Sequence, residues 1–282
     1  MIYECHGHIV LDGVSYQGAI AHHENGADEA FVRENLKICQ DRGITFYRDG
    51  GDKFGACILA RKIAWEYEID YRSPCFIIHK NGYYGHMFGR GFDTIAEYRK
   101  LVDEARALGA DFIKLTASGL LDYKNGGGVT GPKTVPEFPE MVKIAHGEGF
   151  AVMVHANGAD NIKRAVEAGA NSIEHGYYMD REACLMMAQT GTVWVPTIAV
   201  VSNLIGTGLF DDEIVQGIFD GHKAAIVEGV ALGVTIACGS DAGAVGVLQG
   251  QGVIDEDAIL RSLGIDAAAG NRKIEEIFKR AG

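Results

Sequence analysis

Two histidines stand one residue apart near the start of the chain, in the stretch ECHGHIV at residues 4–10. The stretch predicts a buried strand, and a strand turns alternate side chains toward opposite faces. His6 and His8 therefore point the same way. Because two neutral imidazoles on one strand face can bind a single ion, their spacing indicates a metal site.

Further polar residues stand near the C-terminal ends of later apolar runs. They are Lys114 in DFIKLTASG, His155 in AVMVHANG, His175 in NSIEHGYY and Asp241 in VTIACGSDAG. Taken singly, each is typical of a hydrogen-bonded core residue. Together they indicate a bound cation, because burying charged groups without a compensating charge costs free energy. Imidazole and carboxylate ligands favour Zn²⁺, with Mn²⁺, Fe²⁺ and Co²⁺ as alternatives.

Lys114 is the unusual member of this set, because an ammonium group would repel metal ions. A buried neutral lysine can react with CO₂ to form a carbamate, a bidentate anion that could bridge two metals. His6 and His8 with Asp241 would then form one pocket, and His155 with His175 the other. Such sites activate a bridging hydroxide and polarise a carbonyl. A structural salt bridge and a Schiff-base nucleophile remain alternative roles for Lys114.

Short apolar runs that predict strands alternate with longer amphipathic segments along the chain. The predicted strands cover residues 2–10, 44–50, 75–82, 111–119, 151–158, 171–178, 193–200 and 234–243. Five of the intervening segments end in a glycine just ahead of the next strand, as in RG-ITF and LG-VTI, which is typical of a left-handed helix C-cap.

Eight strand–helix repeats predict an α/β fold, a parallel sheet closed into a (β/α)₈ TIM barrel. We expect one metal-dependent hydrolase barrel domain over residues 1–282. An open doubly wound sheet is the alternative, and it is disfavoured because no GxGxxG follows the first strand. The polar residues above would lie at the C-terminal rim, where barrel enzymes carry their chemistry.

Composition excludes several classes of partner. A formal net charge of −12 argues against nucleic acid and against an anionic membrane. No apolar run approaches the ~20 residues that span a bilayer, and no signal peptide is recognisable. The six cysteines form no CxxC pair, so we expect reduced, buried thiols in a cytoplasmic protein that acts on a small molecule.

The motifs together resemble the amidohydrolase superfamily: the HxH of strand 1, the strand-4 lysine, VHANG, SIEHG and GSDAG. Their order is similar to the branch containing imidazolonepropionase-like proteins and Xaa-Pro or Xaa-Arg dipeptidases. The resemblance implies two zinc ions bridged by a carboxylated Lys114. It implies one ion on His6, His8, Lys114 and Asp241, and the other on Lys114, His155 and His175. Asp241 would also be the general base that takes a proton from the bridging water and passes it to the leaving amine.

The chain departs from the superfamily pattern at two points. The residue two places before the first histidine is usually aspartate, and here it is Glu4, which could still support the ligands. Most members also carry a small β-sandwich built from segments on either side of the barrel. We expect this sandwich to be absent, which would expose barrel surface and favour a homo-oligomer.

Two residues are candidates for substrate contacts. Related peptidases have a loop histidine near the substrate carboxylate, and His86 in YGHMFG is the nearest match; a plain surface loop is the alternative. Tyr177 follows the SIEH strand, where a phenol could hydrogen-bond the substrate carbonyl. The loop after strand 4, which begins SGLLDYKNGGG, is too long for an ordinary connector and is expected to close over the site.

The sequence therefore predicts a binuclear metal-dependent amidohydrolase. It would cleave an amide or peptide C–N bond of a dipeptide or an N-acyl amino acid by attack of a bridging hydroxide. A lactam or imidazolone-type cyclic-amide hydrolase, or a deaminase, is an alternative on the same site. A Schiff-base enzyme using Lys114 and a barrel without catalytic activity are the more distant alternatives.

Overall fold

The computed structural model of the chain describes residues 1–131 and 135–279. Parallel strands alternate with helices along it, so the predicted α/β class with parallel pairing is confirmed. The strands are β1 (Ile2–Gly7), β2 (Ile44–Asp49), β3 (Asp70–Arg72), β4 (Ile77–Lys80), β5 (Gly89–Phe92), β6 (Ile113–Thr116), β7 (Val152–Ala156), β8 (Ser172–His175), β9 (Val193–Val195) and β10 (Thr235–Ile236).

The helices cover most of the segments predicted from the sequence. They are α1 (Tyr16–His22), α2 (Glu29–Asp41), α3 (Ala56–Ile63), α4 (Ile95–Ala107), α5 (Phe138–Gly147), α6 (Ala159–Glu167), α7 (Arg181–Thr190), α8 (Ala199–Ser202), α9 (Asp212–Ala231), α10 (Gly252–Ser262) and α11 (Ala268–Ile277). A 3₁₀ turn, Ala64–Tyr67, follows α3. No helix in the described part of the chain is both long and apolar enough to cross a membrane.

Helix ends follow local chemistry. Helix α4 begins with a capping box in which the Thr94 side chain accepts from the Glu97 amide and the Glu97 carboxylate accepts in return. At the other end, the five glycines predicted as C-terminal stops all have positive φ. They are Gly43, Gly109, Gly149, Gly191 and Gly233. Glycine adopts this left-handed conformation without strain, so the predicted helix C-caps at these five glycines are confirmed.

Strand pairing differs from the single closed sheet that we predicted. Within the described residues the strands form two sheets, one ordered β1-β2-β3 and one ordered β10-β9-β8-β7-β6-β4-β5. Strand β5 lies in the segment predicted as a loop and pairs in parallel with β4. The predicted strand at 193–200 ends at Val195 and is followed by helix α8. The predicted strand at 234–243 is a regular strand only at Thr235–Ile236, and Ala242 adds an isolated parallel bridge to Gly7.

Backbone hydrogen bonds join β1 to the segment that follows β10. The Cys5 amide donates to the Cys238 carbonyl at 3.0 Å, and the Asp241 amide donates to the His6 carbonyl at 2.6 Å. Glu4 reinforces this junction, because its buried carboxylate accepts from the Ser240 amide at 2.8 Å and from the Ser240 hydroxyl at 2.5 Å. The beginning of the chain is thereby held against the residues that carry Asp241.

Alternate residues of several strands face one shared interior. An apolar layer contains Phe46, Phe112 and Met153, together with Ile274 and Phe278 at the end of the chain. Two residues further along the same strands, the same face carries Arg48, Lys114 and His155. Because the side-chain period of a strand is two, the polar set forms the next layer above this apolar floor.

All six cysteines are buried and unpaired. The prediction of buried free thiols is therefore confirmed. Cys5 belongs to the interior apolar layer, while Cys57 donates from its thiol to the Cys75 carbonyl at 3.0 Å. They behave as small core side chains.

Candidate active site

One cavity of about 500 Å³ opens at the C-terminal ends of the strands. All six residues that the sequence predicts as metal ligands line this cavity at its inner end. They are His6, His8, Lys114, His155, His175 and Asp241. Tyr177 also lines this cavity, whereas His86 does not. A cavity of this size suits a drug-sized ligand.

The inner end is compact enough for its side chains to share a ligand. The His6 and His175 rings lie 4.9 Å apart, and those of His155 and His175 lie 4.5 Å apart. Asp241 Oδ1 lies 3.6 Å from His6 Nε2 and 3.5 Å from His8 Nε2. Ligand atoms around a tetrahedral zinc stand about 3.4 Å apart, so this triplet has the spacing of a metal site.

Each of the four imidazoles has one ring nitrogen held by a fixed oxygen of the protein. The pairs are His6 Nδ1 with Glu174 Oε2 at 2.8 Å, His8 Nδ1 with the Gly51 carbonyl at 3.3 Å, His155 Nε2 with the Gly119 carbonyl at 2.9 Å, and His175 Nδ1 with Thr197 Oγ1 at 2.9 Å. Such bonds select the tautomer and orient the ring. The other nitrogen of each ring can then coordinate a metal ion through its lone pair.

Two buried polar atoms at the inner end have no hydrogen-bond partner in the described part of the chain. They are His6 Nε2 and Lys114 Nζ. Leaving a buried polar atom unsatisfied costs free energy, and native structures rarely do so without a reason. A bound cation would satisfy the imidazole nitrogen. The donor set of nitrogens and a carboxylate therefore fits a divalent metal ion.

Burial determines the protonation of the site. It lowers the pKa of His8 and of His155 to about 3, and it holds the pKa of His6 and His175 well below the usual value for imidazole. All four rings are therefore neutral at pH 7, which is the form that binds metals. Burial also lowers the pKa of Lys114 to about 8, although the Glu174 carboxylate opposes this shift. An appreciable fraction of its amine is then neutral.

Burial acts on the Asp241 carboxyl in the opposite sense. It raises the pKa of Asp241 to about 6, while the Lys114 ammonium opposes the rise. A carboxylate with a pKa near neutrality can both accept and return a proton.

Sequence reasoning missed a buried ion pair beneath the histidines. Arg48 Nη2 donates to both oxygens of Glu174 at 2.9 Å, and Arg48 Nε donates to the Cys5 carbonyl at 2.6 Å. Glu174 in turn accepts from His6 Nδ1. The signal was present, since both are charged residues inside apolar strands, two places after Phe46 and one place before His175.

Three non-glycine residues near the cavity adopt left-handed backbone conformations. They are His175 with φ 68°, Thr197 with φ 50° and Asp241 with φ 60°. Each such residue costs roughly 1–3 kcal/mol, and strain of this kind concentrates at functional sites.

The two candidate substrate contacts lie in different surroundings. His86 is exposed, and its carbonyl accepts a hydrogen bond from Lys53 Nζ at 2.9 Å. Tyr84, two residues earlier, lines the cavity and packs its ring 4.7 Å from that of His155. Tyr177 is buried in the wall, where its hydroxyl donates to the Thr197 carbonyl at 2.9 Å. A substrate carbonyl would have to displace that bond.

The long loop after β6, of which residues 132–134 lie outside the described residues, contributes Leu120, Leu121 and Tyr123 to the cavity lining. Leu121 pairs with Val129 in an antiparallel bridge within the loop. The Tyr123 ring stacks on Phe210 at 4.6 Å, and both rings line the cavity. Two segments far apart in sequence thus meet above the inner end.

Comparison with known proteins yields matches over most of the chain. The amidohydrolase family matches residues 42–278. The ochratoxinase of Aspergillus niger is 30% identical over 154 residues, which cover 53% of this chain and 32% of that protein. The matched region is therefore about a third of the relative's length.

Solved structures share the fold over nearly the entire chain. A Xaa-Pro dipeptidase with bound methionine in the active site superposes with a TM-score of 0.76 at 21% identity, covering 99% of this chain and 77% of that chain. The crystal structure of the A. niger ochratoxinase superposes with a TM-score of 0.72 at 22% identity, covering 97% and 68%. At these identities the likeness concerns the fold.

Proposed function

The chain belongs to the amidohydrolase family, and from that premise we propose that it hydrolyses an amide C–N bond of a small molecule with two divalent metal ions. One observation carries the proposal. Four neutral imidazoles, each hydrogen-bonded to the described residues through one nitrogen only, line a cavity end that also contains Lys114 and Asp241. Zinc is the expected metal, because nitrogen and carboxylate ligands dominate the set.

The residues divide into two groups around the lysine. His6, His8 and Asp241 would hold one ion, since their ligand atoms all lie within 4.8 Å of one another. His155 and His175, whose rings lie 4.5 Å apart, would hold the other. Lys114 would bridge both as a carbamate.

Carbamate formation uses the neutral amine of Lys114. The nitrogen lone pair attacks the carbon of CO₂, a C–N bond forms, and one N–H proton leaves to solvent. The charge of the side chain thereby changes from that of a cation, in its protonated form, to that of an anion. This change explains why an unpaired buried lysine can stand among metal ligands.

When bound, the two cations supply a Lewis acid for the substrate carbonyl and acidify a water. Asp241 accepts the proton of the attacking water on its carboxylate and delivers it to the leaving nitrogen. The histidines stay neutral throughout, since burial disfavours their charged forms. The Arg48–Glu174 pair keeps the His6 ring oriented.

We also propose that the two sheets are parts of one (β/α)₈ barrel in a single domain. Hydrogen bonds from Cys5 to Cys238 and from Asp241 to His6 join β1 to the segment after β10. At the other junction, the Asp111 amide ahead of β6 donates to the Ser73 carbonyl after β3 at 2.8 Å, which links the two sheets beside β4, whose other edge carries β5. Both support closure.

A second candidate function uses Lys114 directly as a Schiff-base nucleophile. The lowered pKa of Lys114 favours it, because a neutral amine is also the reactive form for that chemistry. Borohydride trapping with a carbonyl substrate would detect it. Retention of activity after chelation would favour it over the metal-dependent reaction.

Metal analysis and lysine variants test the proposal. Protein purified without chelators is expected to contain two equivalents of transition metal and to lose activity with EDTA. Lys114→Ala should lose activity and metal together, and a short carboxylate such as propionate should restore part of both. A metal content below one equivalent in active protein would contradict the proposal. Dipeptides, N-acyl amino acids and lactams form the substrate panel.

A further inference from the structure

We propose that the substrate carries apolar, uncharged groups on both sides of the scissile amide, in place of the free carboxylate of a dipeptide or an N-acyl amino acid. The inference rests on the proposed function, because it assigns a substrate class to the same site. It follows from the chemistry of the cavity wall.

Apolar side chains from several separate segments form most of this wall. They include Leu11, Met87, Phe88, Leu121, Leu204 and Phe210. These residues come from the connections after β1, β4, β6 and β9, so the apolar surface surrounds the inner end and is not confined to one side. A ligand that fills the cavity would contact apolar groups along most of its length.

Three polar side chains of the wall, Thr116, Asn157 and Tyr177, already make hydrogen bonds within the protein. Thr116 Oγ1 donates to a backbone carbonyl at 2.6 Å, and Tyr177 donates to another at 2.9 Å. Asn157 donates from Nδ2 to a carbonyl at 3.2 Å, and its Oδ1 accepts from the Tyr177 amide at 3.1 Å. They have little capacity left to bind an anion.

Charge is confined to the inner end of the cavity. Among the described lining residues, Lys114 and Asp241 are the charged side chains, and both belong to the reactive centre. A substrate carboxylate held against the remaining wall would lose its hydration without an arginine or lysine to pair with it, which is strongly unfavourable. The net charge of −12 also repels anions at a distance.

Three phenol hydroxyls in the wall remain available. They belong to Tyr16, Tyr84 and Tyr123, and no other described residue hydrogen-bonds to them. A phenol is neutral at pH 7 and donates one hydrogen bond. The three hydroxyls can bind a second carbonyl or an ether oxygen on the substrate, but they bring no positive charge to compensate the desolvation of a carboxylate.

A matched pair of amides tests the inference on the metal-loaded full chain. N-hexanoyl-phenylalanine and N-hexanoyl-phenethylamine differ only in the carboxylate, and hydrolysis of either releases a primary amine that can be quantified. We expect kcat/KM for the neutral amide to exceed that for the acid by about tenfold or more. Equal values, or a preference for the acid, would overturn the inference while leaving amide hydrolysis established.

Binding of the same two compounds gives a readout independent of catalysis. Isothermal calorimetry on the full chain should show tighter binding of the neutral amide. If neither compound is hydrolysed but the neutral one binds more tightly, the substrate class stands and the proposed reaction fails. If neither is hydrolysed and neither binds, or the acid binds more tightly, the inference is wrong.

A cation placed in the wall provides a second variant. Leu120 lines the cavity and is 42% exposed, so an arginine there should not disturb the core. Leu120→Arg should raise kcat/KM for the acid relative to the neutral amide, while the matched control Leu120→Gln should not. An unchanged ratio in Leu120→Arg would count against the wall as the source of selectivity.

Discussion

Glu174 and His175 are consecutive in the chain, yet both side chains face the same interior. Glu174 accepts from His6 Nδ1 at 2.8 Å, and the His175 ring lies 4.9 Å from that of His6. In a regular strand, neighbours point to opposite faces. The left-handed conformation of His175, with φ 68°, ends the alternation and turns its ring back toward the cavity. One strand end thus supplies a metal-ligand candidate and the support for another.

Replacing Glu174 tests that support. Glu174→Gln removes the negative charge that accepts from His6 and pairs with Arg48, so the His6 ring loses its fixed orientation. We expect metal affinity to fall by roughly 10–100-fold, as for other partners of metal-binding histidines. Competition with a chelating dye would measure it. Thr192→Val, which removes a buried hydroxyl that donates to the Ala170 carbonyl and contacts neither Glu174 nor His6, is the control, and equal affinity losses in both variants would contradict a positioning role.

Gly176 tests how tightly the strand end is packed. A Cβ at this position would meet Trp194 Nε1 at 2.4 Å, and the residue has φ 69°. Gly176→Ala should therefore lower the free energy of unfolding by about 2–4 kcal/mol, from backbone strain and overpacking together. Gly126→Ala is the matched control, since φ is 83° and nothing lies within 4 Å. Its cost should stay near ~1–2 kcal/mol in urea denaturation.

The buried His222 should make the free energy of unfolding depend on pH. Burial lowers its pKa to about 4, and its ring stacks on Tyr177 at 3.8 Å. In the unfolded chain the His222 imidazole has its ordinary pKa of 6.5. As pH falls, it is therefore protonated in the unfolded state before it is protonated in the folded state. The stability contributed by the neutral ring is complete above 6.5 and is lost as pH falls toward 4.

Urea denaturation of wild type and His222→Phe at pH 7.5 and 4.5 measures this effect. The wild type should lose about 2–3 kcal/mol more than the variant between the two pH values. His86→Gln, a change at an exposed histidine, should keep the wild-type dependence. A variant that loses as much stability as the wild type would show that His222 titrates normally.

Substitutions of Tyr84 and of His86 are expected to affect substrate binding differently. The Tyr84 ring lines the cavity and packs against His155, whereas His86 is exposed and outside it. Tyr84→Ala should raise KM by about tenfold, the loss of roughly 1.4 kcal/mol of contact. His86→Ala should leave both kcat and KM nearly unchanged. A large loss of activity in His86→Ala would restore the substrate role that the motif comparison predicts.

Much of the architecture follows from local pattern. Glycines such as Gly43 and Gly109 end helices wherever they stand, because positive φ suits glycine regardless of the surrounding fold. The period of two along a strand likewise places His6 with His8, and Phe112 with Lys114, on shared faces. Residue type and spacing were therefore enough to predict the parallel α/β class and the residues that meet in the cavity.

Other features depended on contacts between distant parts of the chain. The Arg48–Glu174 pair joins two strands far apart in sequence, and the apolar wall arises where loops after different strands meet. The sequence of β5 is rich in glycine and does not favour a strand by itself. Strand β5 forms because it pairs with the edge of β4. The sequence alone thus determined the inward face of regular strand residues such as His6 and His8. Only the tertiary structure decided what surrounds them, because burial, pairing and cavity shape depend on residues that no local period relates.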